Sequence, residues 1–375
     1  MKFVLFYHSL VSDWNHGNAH FLRGIVRELV ALGQDVEVYE PHDSWSRRNL
    51  LREAGPQAVR QFEAAFPGLH SKRYTIDDAD IEQAVDGADV VIAHEWNHPD
   101  LIAKLGRLRA DGADFRLLFH DTHHRSVTQP HEIAAFDLRA YDGVLAFGDV
   151  IRERYISQGW AHQAWTWHEA ADTALFRPTP NGTMDGDLVW VGNWGDSERN
   201  AELEEFLIDP VRRLNLKAAT YGVRYPEAAR RALAAARIEY RGWLPNYRAP
   251  AVFGRYGFTV HIPRRPYLES LPGIPTIRVF EALACGIPMV SALWTDSAGL
   301  FGHDDFLVAR TGAEMTDHLR ALKEDAGLRT TLAANGLQTI LSRHTCRHRV
   351  LELLDICRKL GVTGNDGVQP RRHIA

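Results

Sequence analysis

The sequence predicts an α/β protein built from two doubly wound, Rossmann-like domains. Three observations support this. The chain has 375 residues, a length suited to two domains of ordinary size. Apolar strand-like runs alternate with helical patterns twice over, and such alternation builds parallel sheets. Between the two series lies the run RPTPNGTMDGD, whose proline and glycine content marks a linker. The expected divisions are a first domain over 1–176, a linker over 177–187, a second domain over 188–345, a helix over 346–361 and a tail over 362–375.

The elements follow in order. Lys2 to Tyr7 reads as a buried first strand, and the loop Ser9 to Gly17 leads into a helix from Asn18. Phe21, Leu22, Ile25, Val26, Leu29 and Val30 recur at helical spacing, and Gly33 ends that helix. Asp35 to Tyr39 is the next strand, which completes one βαβ unit. A polar helical stretch is expected between Asp43 and His70. Further strands fall at Ala88 to Ala93, Phe115 to Phe119 and Tyr141 to Phe147, the last followed by a helix to Gly159. The second series has strands at Leu188 to Val191, Ala218 to Tyr221, Ile238 to Arg241, Phe258 to Ile262 and Met289 to Ala292. Helices over 313–326, 328–341 and 346–360 close the chain. In open parallel sheets of this kind ligands gather beyond the carboxyl ends of the strands.

Composition narrows the function. Hydrophobic residues make up 45% and charged residues 24%, an ordinary globular mixture. The net charge of −5 with no basic block disfavours a nucleic-acid surface. Cys285, Cys346 and Cys357 form no CxxC pair and fit reduced thiols of a cytoplasmic protein. The opening run MKFVLFYHSL is too short for a signal peptide, and no stretch reaches membrane-spanning length. Asn181-Gly182-Thr183 matches a glycosylation sequon, which carries no meaning without secretion.

One stretch organises the rest: LPGIPTIRVFEALACGIPMVSA, Leu271 to Ala292. Ile274 precedes Pro275 and is held out of helical geometry. Thr276 can cap a helix from Ile277 to Cys285, its hydroxyl accepting a free backbone N–H. Gly286 suits the left-handed position beyond the end, and Pro288 blocks continuation. Val279, Leu283, Phe280, Ala284 and Ile277 cover a wide apolar arc, leaving Arg278 and Glu281 as neighbours in the remaining sector. Two readings stay open: a surface ion pair worth a few tenths of a kcal/mol, or charged groups facing a cleft. In the second reading the Gly273-Ile274-Pro275 loop and the helix N-terminus receive an anion.

Other patterns carry chemistry at strand ends. Val191-Gly192-Asn193-Trp194-Gly195 opens a strand–helix turn that can bring backbone close to phosphate; the alternative is a surface cap at Asp196. Arg264 and Arg265 end a strand, where guanidinium forks match phosphates, though each alone fits a solvated rim equally well. His94-Glu95-Trp96-Asn97-His98 matches the HExxH zinc pattern by letter. That motif needs a helix; here it follows a strand, and Pro99 keeps His98 out of helical geometry. His120-Asp121-Thr122-His123-His124 is a polar cluster at another strand end.

The run Phe280-Glu281-Ala282-Leu283-Ala284-Cys285-Gly286-Ile287-Pro288 resembles the donor-site helix of GT-B glycosyltransferases of group 1 (family 4-like), closest to the CgeB-like spore-coat branch. The resemblance covers nearly the whole chain in order and is strongest in the second half. It implies that Glu281 accepts hydrogen bonds from the ribose of a nucleotide-sugar and that Pro275, Thr276 and Arg278 lie beside its diphosphate. The family's second donor-site glutamate, eight residues earlier, corresponds to Gly273, so Glu269 or a loop N–H would have to replace it. Gly192 and Asn193 correspond to the phosphate turn; the family's arginine and lysine there fall on Asn193 and Glu198, and Arg199, one residue later, is taken as the diphosphate contact. Tyr240 to Asn246, with Gly242, Trp243 and Leu244, resembles the loop that holds the nucleobase. His120 is implied as a donor-sugar contact with Asp121 as its orienter, and Gly17 and Asn18 face the same cleft. The segment Trp167 to Phe176 resembles the interdomain hinge, and the final helix is expected to cross back to the first domain.

The expected function is transfer of a glycosyl unit from a nucleotide-diphosphate donor to an acceptor hydroxyl on a saccharide or other glycan, with retention and without a metal or other cofactor. His120, Asp121, Arg199, Arg264 and Arg265 are the expected catalytic groups. The two Asp-x-Asp candidates, Asp78-Ala79-Asp80 and Asp185-Gly186-Asp187, lie before a helix and at the amino side of a strand, away from the expected cleft. A nucleotide-sugar epimerase, a phosphorylase or a non-catalytic nucleotide-sugar-binding protein would fit the same fold.

Overall fold

The computed structural model describes residues 1–76, 80–179, 182–195 and 199–362. Asp78, Ala79, Asn181, Asp196, Glu198 and the tail beyond Val362 lie outside the described residues.

Two all-parallel sheets form the frame. The first has seven strands: β1 (Lys2–Phe6), β2 (Asp35–Pro41), β3 (Lys72–Tyr74), β4 (Val90–His94), β5 (Arg116–Asp121), β6 (Gly143–Ala146) and β7 (Ala164–Thr166), in the order β3-β2-β1-β4-β5-β6-β7. The second has six: β8 (Gly186–Val191), β9 (Ala218–Tyr221), β10 (Ile238–Tyr240), β11 (Tyr256–His261), β12 (Met289–Ala292) and β13 (Leu307–Ala309), in the order β10-β9-β8-β11-β12-β13. Strand alternation sorts the apolar residues onto the two faces. In β1, Phe3 and Leu5 pack on one face of the sheet while Val4 and Phe6 pack on the other. In β8, Leu188 and Trp190 oppose Val189 and Val191 in the same way.

The principal elements fall where the sequence places them, with instructive exceptions. The polar stretch after β2 is two helices, Trp45–Ala54 and Gln57–Ala65, because Gly55 adopts φ +67 and Pro56 follows. Strands β3, β7 and β13 are additional to the expected set. All three are edge strands of three residues, too short to show a period.

The last helix, Cys346–Lys359, packs in the first domain's core through Cys346, Val350, Leu353, Ile356 and Cys357. Gly24 on the helix Asn18–Ala31 leaves room for it, since a Cβ there would collide with Cys346 Sγ. Ala171 pairs with Thr345 in an isolated parallel bridge, and Trp167 Nε1 donates to the Arg349 carbonyl at 2.8 Å. The chain thus joins the two sheets twice, on the way out and on the way back. No helix among the described residues is long and apolar enough to cross a membrane.

Candidate active site in the interdomain cleft

Between the sheets lies a cleft of about 660 Å³. In each sheet the strand order reverses beside the first strand of the series, at β1/β4 and at β8/β11. Chain leaving a parallel sheet diverges at such a switch point and opens a crevice. Accordingly the cleft wall is made of segments that leave the carboxyl ends of both sheets: Asp13 to His20 after β1, Trp96 after β4, Thr122 to His124 after β5, Gly192 and Asn193 after β8, Arg224 after β9 and Arg264 after β11.

The helix Ile277–Ala284 points its N-terminus into this space, and Pro275, Thr276, Ile277 and Arg278 line it. Thr276 occupies the N-cap position with extended backbone, yet its side chain makes no cap hydrogen bond, contrary to expectation. The Glu169 carboxyl of the first domain lies close enough to the Ile277 N–H at this helix end for that amide to lower its pKa. Gly286 takes the expected left-handed conformation at φ +66.

Glu281 is buried, with 1% of its side chain exposed, and does not line the cleft. Its carboxylate meets His20 Nδ1 at 3.0 Å, Asn246 Nδ2 at 2.9 Å and Arg278 at 2.6 Å. Burial pushes the carboxyl up, but Arg278, His20 and Asn246 outweigh it and hold the group below its ordinary value. The surface-pair reading is therefore excluded. The carboxylate expected to meet a ribose is here an inward-facing hub, because His20 and Asn246 cover the polar sector of the helix. Asn246 is saturated: its N–H donates to Asp13 at 3.0 Å, its amide to Glu281, and its carbonyl accepts from Arg278 at 3.0 Å.

Ile274 and Gly273 also differ from expectation. Ile274 is packed in the first domain's core, so close to Gly148 that a Cβ there would collide with it. Gly273 has φ +81, and its N–H donates to the Thr295 carbonyl at 2.7 Å, so that amide is not available to replace a missing carboxylate. Glu269 is exposed and lies off the cleft wall.

Arg199, Arg224, Arg264 and Arg278 line the cleft against two carboxyls, Asp13 and Glu169. Arg199 is nearly buried; its guanidinium donates to the Ile262 carbonyl at 2.7 Å and to the Asn193 carbonyl, and lies over the Trp190 ring. Arg265 does not belong to this group. It pairs with Glu202 at 3.0 Å on the exposed side, since Arg264 is the extended N-cap residue of the short helix Arg265–Glu269 and its neighbour turns away.

Gly192 and Asn193 line the cleft. The Asn193 side chain is engaged with Val223 N–H at 2.9 Å and with Asn15 of the first domain at 2.7 Å. Trp243 and Leu244 line the cleft, and Trp243 Nε1 donates to Asp13 at 3.2 Å. Gly242 stands behind them with φ +73, its carbonyl accepting from Gly222 N–H. Gly17 and Asn18 reach the wall as expected.

His120 and Asp121 do not. His120 is fully buried, its Nδ1 paired with Tyr7 Oη at 2.7 Å, and burial lowers its pKa to about 3. Asp121 accepts from His123 N–H at 3.0 Å and Tyr155 Oη at 2.8 Å; burial raises its pKa to about 6. The physical reason is that β5 continues through Asp121, so the residues that clear the sheet are Thr122, His123 and His124. With His16, Trp45 and Trp96 they form an aromatic wall, in which Trp96 lies 5.2 Å from His123 and 6.0 Å from Trp45. Arg125 sits over Trp96 at 4.1 Å and is itself fixed by the buried Glu95 carboxylate at 3.0 Å.

The HExxH letters do not make a metal site. His94 ends β4 and meets Thr122 Oγ1 at 2.9 Å, while His98 is the extended N-cap residue of the helix Pro99–Ala110. At the opposite end of the second sheet, Asp185 pairs with Arg255 at 2.6 Å and Asp187 accepts from Lys217 N–H at 2.8 Å.

Comparison with known proteins agrees with this architecture. Residues 199–355 match the family described as glycosyl transferase-like. Sucrose-phosphate synthase from Thermosynechococcus elongatus superposes with a TM-score of 0.66 at 14% identity, over 97% of this chain and 100% of that one. Anabaena HepE, solved with UDP and glucose, gives 0.69 at 14% identity over 96% and 100%. An α-glucosyltransferase solved with UDP and a 13-mer DNA gives 0.72 at 12% identity over 96% and 99%. Likeness at these identities is likeness of fold. No curated protein matches the chain in sequence. The architecture is therefore that of the GT-B glycosyltransferase structures, and residues 199–355 are similar to the glycosyl transferase-like family.

Proposed function

We propose that this enzyme transfers a glycosyl unit from a UDP-sugar to a hydroxyl of a saccharide acceptor. The observation that carries the reading is the convergence of four arginines and a helix N-terminus on one side of the cleft, at the carboxyl ends of the second sheet. Such a set suits a diphosphate: backbone N–H groups and the helix dipole favour the anion, and guanidinium forks match its oxygens. UDP is the favoured nucleotide because several enzymes of like fold were solved with it. The loop of Trp243 and Leu244 supplies the surface for its base.

The aromatic wall of the first domain favours a carbohydrate acceptor, since sugar rings present apolar C–H faces to such side chains. The net charge of −5 argues against a polyanionic acceptor such as DNA. In this reading the acceptor oxygen bonds to the anomeric carbon as the bond to the diphosphate breaks, the hydroxyl proton passes to the departing phosphate oxygen, and the arginines stabilise the charge that builds on that group. Hydrogen bonds already join the domains across the cleft, Asp13 to Trp243 and Asn246 and Asn15 to Asn193, and His20 meets Glu281 at 3.0 Å, so substrates are held between prealigned walls. We take the reaction as retaining and metal-independent, and place the chain in the CgeB-like branch on the run Phe280 to Pro288.

The test is product analysis with a panel of UDP-sugars, with and without oligosaccharide acceptors. New glycoside whose anomeric configuration by NMR matches the donor supports the reading. Epimerised donor, phosphorolysis alone, or binding without turnover would overturn it in favour of the corresponding alternative.

A further inference from the structure

Two carboxyls line the cleft among the described residues, and they differ. Asp13 is engaged by Arg23 at 2.9 Å, Trp243 at 3.2 Å and Asn246 at 3.0 Å. Glu169 arrives from the segment after β7 and is 8% exposed. It lies beside the Ile277 N–H, the first amide of the helix whose N-terminus faces the cleft, and both residues line the cleft wall. A residue of the first domain thereby stands at the anion-receiving end of a second-domain helix. Burial first, and then the nearby Glu281 charge, raise the Glu169 pKa to about 8. At neutral pH the group carries its proton, so it does not repel a diphosphate, and it can both donate to and accept from a hydroxyl.

This placement has a consequence for the donor, and it rests on the reading proposed above. Phosphates drawn to Arg264, Arg278 and the helix N-terminus leave the group they carry next to the first-domain wall, where Glu169 stands. We infer that Glu169 is the donor-sugar contact: its carboxyl hydrogen-bonds a hydroxyl of the glycosyl unit, and its place on the cleft wall beside Ile277 keeps it in register with the diphosphate. The sequence places glycine at 273, and the structure brings this carboxyl to the same helix end from the other domain.

The experiment is calorimetric titration, without acceptor, of wild type, Glu169→Gln, Glu169→Asp and Glu169→Ala with UDP and with UDP-glucose, UDP-galactose and UDP-N-acetylglucosamine. The quantity read is the ratio of Kd for the tightest-binding UDP-sugar to Kd for UDP. Glu169→Ala should raise it roughly threefold to tenfold, the value of one neutral hydrogen bond, while UDP affinity stays within about twofold. Glu169→Asp should raise it in the same direction, which keeps the test alive if the alanine variant does not fold. Glu169→Gln, which keeps a donor and an acceptor, should hold the wild-type ratio. An unchanged ratio in the folded alanine or aspartate variant, or equal weakening of UDP and UDP-sugar, refutes the assignment and leaves Glu169 a structural neighbour of the helix end. A wild-type protein that binds no UDP refutes the donor reading itself and this assignment with it.

Discussion

Replacing Glu281 by glutamine tests how the donor side of the cleft is held. The carboxylate is 1% exposed and bridges three groups. Burial depresses the pKa of His20, so its ring is neutral near pH 7 and its 3.0 Å contact with Glu281 does not depend on a charge there; a glutamine carbonyl can keep that contact. That carbonyl can also keep the Asn246 bond, which turns the new amide N–H groups towards Arg278. Arg278 then loses its partner and meets a donor instead. Breaking a buried ion pair costs about 3–5 kcal/mol. Arg278 keeps 23% of its side chain in solvent and its bond to Asn246, so the lower end applies, about 3 kcal/mol. Urea unfolding should show that loss. UDP affinity should fall about tenfold, because Arg278 is no longer fixed at the cleft wall. The double variant with Arg278→Ala should be non-additive by about 1 kcal/mol or more, as expected of contacting residues. A folded Glu281→Gln protein with stability within about 0.5 kcal/mol of wild type and unchanged UDP affinity would refute the hub.

Four further predictions follow from the same geometry. Arg264→Ala should lower kcat/KM about tenfold to a hundredfold, the worth of one charged hydrogen bond, whereas Arg265→Ala, which breaks only the exposed pair with Glu202, should stay within about threefold; equal effects would contradict the division. Arg125→Met should destabilise by about 3 kcal/mol or more, since it strands the buried Glu95, and the restored stability of Arg125→Met with Glu95→Gln is the check. The Glu169 carboxyl, raised from 4.5 to about 8 first by burial and then by Glu281, contributes stability that is fully present below about pH 4.5 and lost as pH rises through about 8; Glu169→Gln should flatten that slope in urea titrations, and an unchanged slope would contradict it. Transfer activity should survive exhaustive chelation; loss restored by manganese or magnesium would show that carboxylates rather than arginines hold the leaving group.

Much of the fold was legible because interior strands and long helices carry strong periods. β9 and β12 begin and end where their apolar runs do. The edge strands β3, β7 and β13 were not legible, as each is three residues long and at most one of those is buried, whereas β10, equally short, was marked by the run Ile238 to Arg241. The site was legible where backbone chemistry sets it. Pro275, Thr276 and Gly286 announce a loop–helix–turn, and its N-terminus does face the cleft. It was misread where one residue more or less of strand decides. Extension of β5 through Asp121 buries His120 and Asp121 and hands the wall to the next three residues. Arg265 illustrates the same point at a helix start, where adjacent side chains diverge. Glu281 turns inward because His20 belongs to another domain, and no local pattern reports that contact. Glu169 was missed for the same reason, since its neighbour Ile277 lies over a hundred residues away. Arg224 could have been found: it follows β9 at the carboxyl end, where the topology rule places ligand contacts.

A crystal structure of the protein with UDP would test the central claim most directly. The account predicts the diphosphate in the interdomain cleft, with its oxygens within hydrogen-bond distance of the backbone at Thr276 to Arg278 and of the Arg264 guanidinium. UDP bound on the first domain's wall of His16, Trp45 and Trp96, or anywhere outside the cleft, would contradict it.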